Sequence, residues 1–134
     1  MDDLSVRRGT LSGMAVLEDV RPLGSELERS YPAYVRGRLR FRVKQIVYVA
    51  FSKDEEVMGF AFPKEERAVL VESRPETFHL PKESLLRFNW VHAELSVLDT
   101  VEAREFVVDA WRMVVPKMLS RAYDLAPPEG PGPG

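Results

Sequence analysis

The stretch Tyr34–Lys44 reads "YVRGRLRFRVK". Arg36, Arg38, Arg40, Arg42 and Lys44 occupy every second position, with Val35, Gly37, Leu39, Phe41 and Val43 between them. A period of two is the signature of a β-strand with one face on a core and one in water. Residues 33–44 are therefore expected to form one alternating strand, with its cations all on the wet face. Tyr34 falls in phase with them. No acidic residue occurs between Arg29 and Asp54.

The segments that follow extend the sheet. "IVYVAF", Ile46–Phe51, is continuously apolar and predicts a central strand covered on both faces. "SKDEE", Ser52–Glu56, is a polar hairpin loop, and "VMGFAF", Val57–Phe62, is the return strand. Pro63 ends it, because proline cannot donate to a ladder. "WVHAELSVL", Trp90–Leu98, alternates again, and a short strand is expected around Phe78.

Helical spacing appears on either side. Leu11, Met14, Ala15 and Leu17 predict a helix over 11–21, followed by a loop over 22–32 that Pro22, Gly24 and Pro32 punctuate. Residues 64–73 carry helix start and stop signals. Asp99 with Glu102 fits a capping box. Beyond it, Val107, Ala110, Trp111, Val114, Met118, Ala122 and Leu125 form one broad apolar stripe. Pro116 inside that stripe implies either a kink in one long C-terminal helix or a second helix that begins at the proline. The fold expectation is an α+β single domain over 11–125, an antiparallel sheet with helices packed on one face and a long kinked C-terminal helix. Residues 1–10 are expected to be a flexible N-terminus and 126–134, "APPEGPGPG", a disordered Pro/Gly tail.

Composition narrows the function classes. Of 134 residues, 45% are hydrophobic and 30% charged, which excludes a chain too polar to bury a core. The absence of cysteine removes disulfides and thiolate metal sites and fits a reducing compartment. "MDDLSVRRG" lacks a secretory apolar region, and no run approaches the ~18 apolar residues of a membrane span. A soluble cytoplasmic protein is the expectation. Net charge is −2 but uneven: nine basic against six acidic residues through Lys44, then ten against fifteen. Local charge of this kind decides what a surface binds.

Several stretches, "YPAYVRGRLRF", "EERAVLVESRPETF", "NWVHAELSVLD" and "DAWRMVVPKML", resemble the MmcQ/YjbR-like family over roughly residues 14–121. The pairing of Trp111 with Pro116 five residues later is the most distinctive part. The resemblance implies a small α+β fold shared with secretion-chaperone-like and frataxin-like (CyaY-like) proteins. It also implies DNA binding, by analogy with a double-wing domain that uses its sheet face, which is an inference from fold alone. The resemblance supplies no catalytic residues. The arginine run through Arg42 is denser than the family's pattern.

Arg36, Arg38, Arg40, Arg42 and Lys44 are therefore the candidate nucleic-acid contacts, with Tyr34 a candidate stacking group. Successive ladder members lie about 6.6 Å apart, close to the spacing of phosphates along a strand. A guanidinium fork binds phosphate bidentately. The same pattern also suits a solvated sheet edge that discourages aggregation, or one neutralised by the protein's own acids.

His79 and His92 lack metal-ligand spacing, and no glycine-rich phosphate loop, nucleophile elbow or HExxH occurs. Glu65, Glu66 and Glu72 serve a helix start. No enzyme, cofactor or metal is expected, and no membrane association. DNA or another polyanion is the expected partner. The alternatives are a protein-interaction module, chaperone-like or a homodimer, and a small-molecule-binding domain or enzyme built around Trp90, His92 and Trp111.

Overall fold

The computed structural model describes residues 14–125, so the expected N-terminal segment 1–10 and tail 126–134 lie outside it. Six strands form one sheet in the order β1-β2-β3-β4-β6-β5: β1 Ser30–Val35, β2 Arg38–Val43, β3 Ile46–Phe51, β4 Val57–Ala61, β5 Phe78–His79 and β6 Trp90–Glu94. Every neighbouring pair is antiparallel. Among the described residues, five α-helices accompany it: α1 Leu17–Val20, α2 Leu23–Glu26, α3 Arg67–Ser73, α4 Thr100–Arg112 and α5 Lys117–Leu125. The α+β expectation holds.

The stretch read as a single strand is a hairpin. Arg36 and Gly37 both have positive φ, 54° and 79°, which makes a two-residue turn whose twist matches the strands it joins. Glycine takes such an angle without strain. A two-residue turn inverts the parity of the alternation. On β1 the odd residues share a face with the even residues of β2, as the pairs Tyr31–Arg42, Ala33–Arg40 and Val35–Arg38 show.

The two faces differ sharply. Leu39, Phe41, Val43, Val49, Phe51, Met58, Phe60, Val91 and Ala93 are buried on one side. Against them sit α1, α2 and above all α4, whose Phe106 ring lies 4.9 Å from Phe60 and 5.5 Å from Phe78. Trp111 is fully buried and its indole N–H donates to the Glu28 carbonyl at 2.9 Å, which ties α4 to the start of β1. Each large side chain buried this way contributes roughly 1.5–3 kcal/mol. Gly24 lies so close to the Phe41 ring that a Cβ there would stand 2.5 Å from it, so only glycine lets α2 seat on the sheet. The other face carries Arg38, Arg40, Arg42, Val47, Ala50, Trp90, His92 and Glu94, none of them buried. β3 is therefore central but covered on one side only, against the expectation of two.

A bulge between Phe41 and Arg42 sets two β3 residues against one on β2 and turns Tyr48 into the core. Its hydroxyl lies 2.5 Å from Ser30 Oγ.

The C-terminal stripe is not one long kinked helix. α4 stops at Arg112 and α5 starts at Lys117. Pro116 has no N–H to give a continuing helix, so it stands before a new one, where its carbonyl accepts from the Leu119 amide at 2.9 Å. Tyr123 of α5 returns to within 5.5 Å of the Trp111 ring. The Asp99 cap is present, with the Glu102 amide donating to Asp99 Oδ1 at 2.7 Å. The Glu102 carboxylate does not complete the box; it takes Arg74 Nη1 at 2.8 Å. Among the described residues, no helix is long and apolar enough to cross a membrane.

Candidate nucleic-acid interface

The open face begins at β2. Arg38, Arg40 and Arg42 project from it in register, as the alternation requires. The other three candidates lie elsewhere. Arg36 is in the β1–β2 turn and Lys44 in the turn between β2 and β3, where its own φ is 57°. Tyr34 stands opposite Leu39, so it belongs to the helix-bearing face and not to the arginine face. Its hydroxyl accepts from Arg21 Nη1 at 2.7 Å. The ladder is thus three residues on a strand with a fourth, Arg36, at the hairpin tip, and the expected phase of Tyr34 is corrected by the inversion at Arg36–Gly37.

The tip is completed by a residue the alternation did not reveal. Lys53, in the β3–β4 hairpin, joins Val35, Arg36, Arg38 and Arg40 around a hollow of about 380 Å³. Four cations converge there. The one sequence signal for Lys53 was its place in the acid-free interval up to Asp54. Asp54 is the nearest acid in sequence, and it caps its own loop. Its Oδ1 accepts from Ser52 Oγ at 2.6 Å and from the Glu56 amide at 3.0 Å. These hydrogen bonds, Ser52 first, hold its carboxyl below the usual range, so it stays ionised but turned into the loop.

Among the described residues, no carboxylate lies within 4.0 Å of Arg36, Arg38, Arg40, Arg42, Lys44 or Lys53. The ion pairs that do form there are elsewhere: Arg21–Glu18, Arg74–Glu102, His79–Glu94 and Arg112 with Asp109 and Asp124. The Nε atoms of Arg40 and Arg42 are buried and have no hydrogen-bond partner.

Beyond β2 the face becomes apolar. Arg40 pairs with Ala50, Ala50 with Gly59 and Gly59 with His92, so small residues separate the arginines from the far strands. A groove of about 500 Å³ opens over this floor, bounded by Arg40, Ala50, Ala61, Leu85, Phe88 and Trp90. The Trp90 indole and His92 imidazole lie directly over Gly59, where an added Cβ would stand 2.7 Å and 2.8 Å from them. The two rings meet at 3.3 Å, Trp90 Nε1 donating to His92 Nε2. Burial, then the neighbouring His79, pushes the His92 imidazole below its ordinary value, so it is neutral and able to accept that bond.

Arg67 fixes the groove's rim. It is buried, and its guanidinium donates to the carbonyls of Leu86, Phe88 and Trp90. Phe88 is exposed, with the Arg87 guanidinium 4.5 Å from its ring centre. Periodicity did not single out Arg67 or Phe88, because both act through an irregular segment. Trp90 and His92 do share one face of β6, as expected, whereas Trp111 is in the core on the other side of the sheet. The described residues contain no group of three or more His, Asp or Glu side chains arranged to hold a metal.

No family model matches this chain, and no curated protein matches it in sequence. Its structure is similar to the crystal structure of Deinococcus radiodurans protein DR2400, a DUF419 domain. The two share 16% identity over 84% of this chain and 91% of that one, with a TM-score of 0.65. That likeness shows a common fold. DUF419 lies within the MmcQ/YjbR family.

Proposed function

We propose that this chain is a cytoplasmic, non-enzymatic member of the MmcQ/YjbR-like family that binds nucleic acid through the open face of its sheet. The single observation that carries the reading is the convergence of Arg36, Arg38, Arg40 and Lys53 on one hollow with no carboxylate near them among the described residues. Arg42 extends the same row along β2. These groups contact phosphate and read no base edge, so sequence preference is weak. The likeness to a DUF419 domain supports the family placement.

Four cations neutralising four phosphates of a duplex give a salt slope of about −3.6, a fall in affinity of roughly 150-fold from 50 to 200 mM salt. Titration of a labelled duplex at those two concentrations tests this. Binding that is absent at 50 mM salt, or unchanged in Arg38→Glu/Arg40→Glu, overturns it.

Pairing of β1 with a second copy is the less favoured alternative. β1 is an edge strand, but Pro32 in its middle has no N–H to offer another chain.

A further inference from the structure

We infer that the natural ligand is a single-stranded polynucleotide, its phosphates held at the cationic hollow and an unpaired base lying in the groove beside Trp90. This rests on the nucleic-acid reading above and goes beyond it, because the groove is a second site with different chemistry.

Arg40 joins the two sites, since it lines both the hollow with Arg36, Arg38 and Lys53 and the groove with Ala50, Ala61, Phe88 and Trp90. Neighbouring strands lie about 4.8 Å apart, so β4, under the Trp90 ring, is about 10 Å from β2. One nucleotide with its flanking phosphates spans a distance of that order. The groove floor includes Ala50 and Ala61, which leave room above the sheet, and its walls combine the rings of Phe88 and Trp90 with aliphatic side chains such as Leu85 and Met113. Trp90 is half-buried, with its indole Nε1 and Cε2 close to Gly59 and its N–H held by His92. A ring fixed in this way is a preformed stacking platform, and stacking tolerates any base because every base has a π-face.

A duplex uses only half of this surface. Its bases are stacked on one another inside a rod, and the rod offers phosphates to the arginines and nothing to the groove. A strand with exposed bases satisfies both sites at once. A base-free polyanion satisfies only the first.

The test uses the full chain with three probes at 50 mM salt: a twelve-residue oligothymidylate, the same oligonucleotide annealed to its complement, and inorganic polyphosphate. Of the two tryptophans, Trp111 is fully buried, so a change in emission on binding reports Trp90. Oligothymidylate is expected to bind at least tenfold more tightly than the duplex and to quench emission. Four phosphate contacts on a single strand give a salt slope of about −2.8. Trp90→Leu is expected to weaken oligothymidylate about tenfold while leaving duplex and polyphosphate within twofold, with Trp90→Phe restoring most of the loss. Phe88→Ala, at an exposed position, provides the same contrast if Trp90→Leu unfolds the chain. Equal affinity for single strand and duplex, no quenching, or an equal loss for all three probes in these variants overturns the inference while the nucleic-acid reading stands. Failure of both nucleic acids to bind overturns both.

Discussion

Arg40 stands directly opposite Ala50 across the β2–β3 ladder, with both side chains on the open face. A carboxylate at position 50 therefore meets the guanidinium that joins the hollow to the groove. Ala50→Glu is expected to fold with stability within about 1 kcal/mol of wild type, since an opposed ion pair contributes only tenths to one kcal/mol. Its affinity for a polyanion at 50 mM salt should fall about tenfold, and its salt slope should shrink by about one phosphate contact. A titration at two salt concentrations measures both.

Tyr48 gives the fold an alkaline limit. Burial pushes its phenol up to about 12, against the smaller opposing effect of the Ser30 hydrogen bond. A phenol raised in the folded state contributes stability below its unfolded value near 10 and loses it as pH rises toward 12. Urea unfolding between pH 9 and 12 should show the wild type declining more steeply than Tyr48→Phe, by up to about 1.4 kcal/mol per pH unit. Parallel profiles would refute this.

Gly59 must stay small for Trp90 and His92 to lie on the sheet. Gly59→Val forces both rings outward and is expected to cost about 1–3 kcal/mol, the usual range for overpacking. Tryptophan emission should shift to the red in the folded variant, because Trp90 gains water while Trp111 stays in the core.

Arg67 holds three carbonyls of the segment leading into β6. Arg67→Met keeps the stem's bulk but leaves those carbonyls without their donor, at an expected cost of about 2–4 kcal/mol. Arg67→Lys recovers less than half, because an ammonium lacks the planar fork that spans them. Hydrogen exchange should accelerate across residues 86–90 more than across β2.

Trp111 donates to Glu28 from the buried side of α4. Trp111→Phe removes that bond and some ring volume and should lower stability by about 2 kcal/mol in denaturant melts. The open-face sites are on the opposite side of the sheet, so its affinity for polyanions should be unchanged.

The class of fold and most of the elements are legible in local patterns along the chain. Alternation in Trp90–Glu94, the apolar run of Ile46–Phe51, the polar hairpin loop before the return strand Val57–Ala61 and the Asp99 cap each encode a local conformation in a local pattern. The acid-free interval around the arginines was equally legible, since it needs only a count along the chain. Tertiary structure decided where those residues point. Two positive φ angles at Arg36 and Gly37 separate one strand from two, and a two-residue turn reverses which face each neighbour occupies. The break at Pro116 was open to two readings, and the return of Tyr123 onto Trp111 accompanies the second helix. Lys53, Phe88 and Arg67 reach the site from separate hairpins, loops and helices. Their meeting depends on strand order and packing, which a one-dimensional period does not encode.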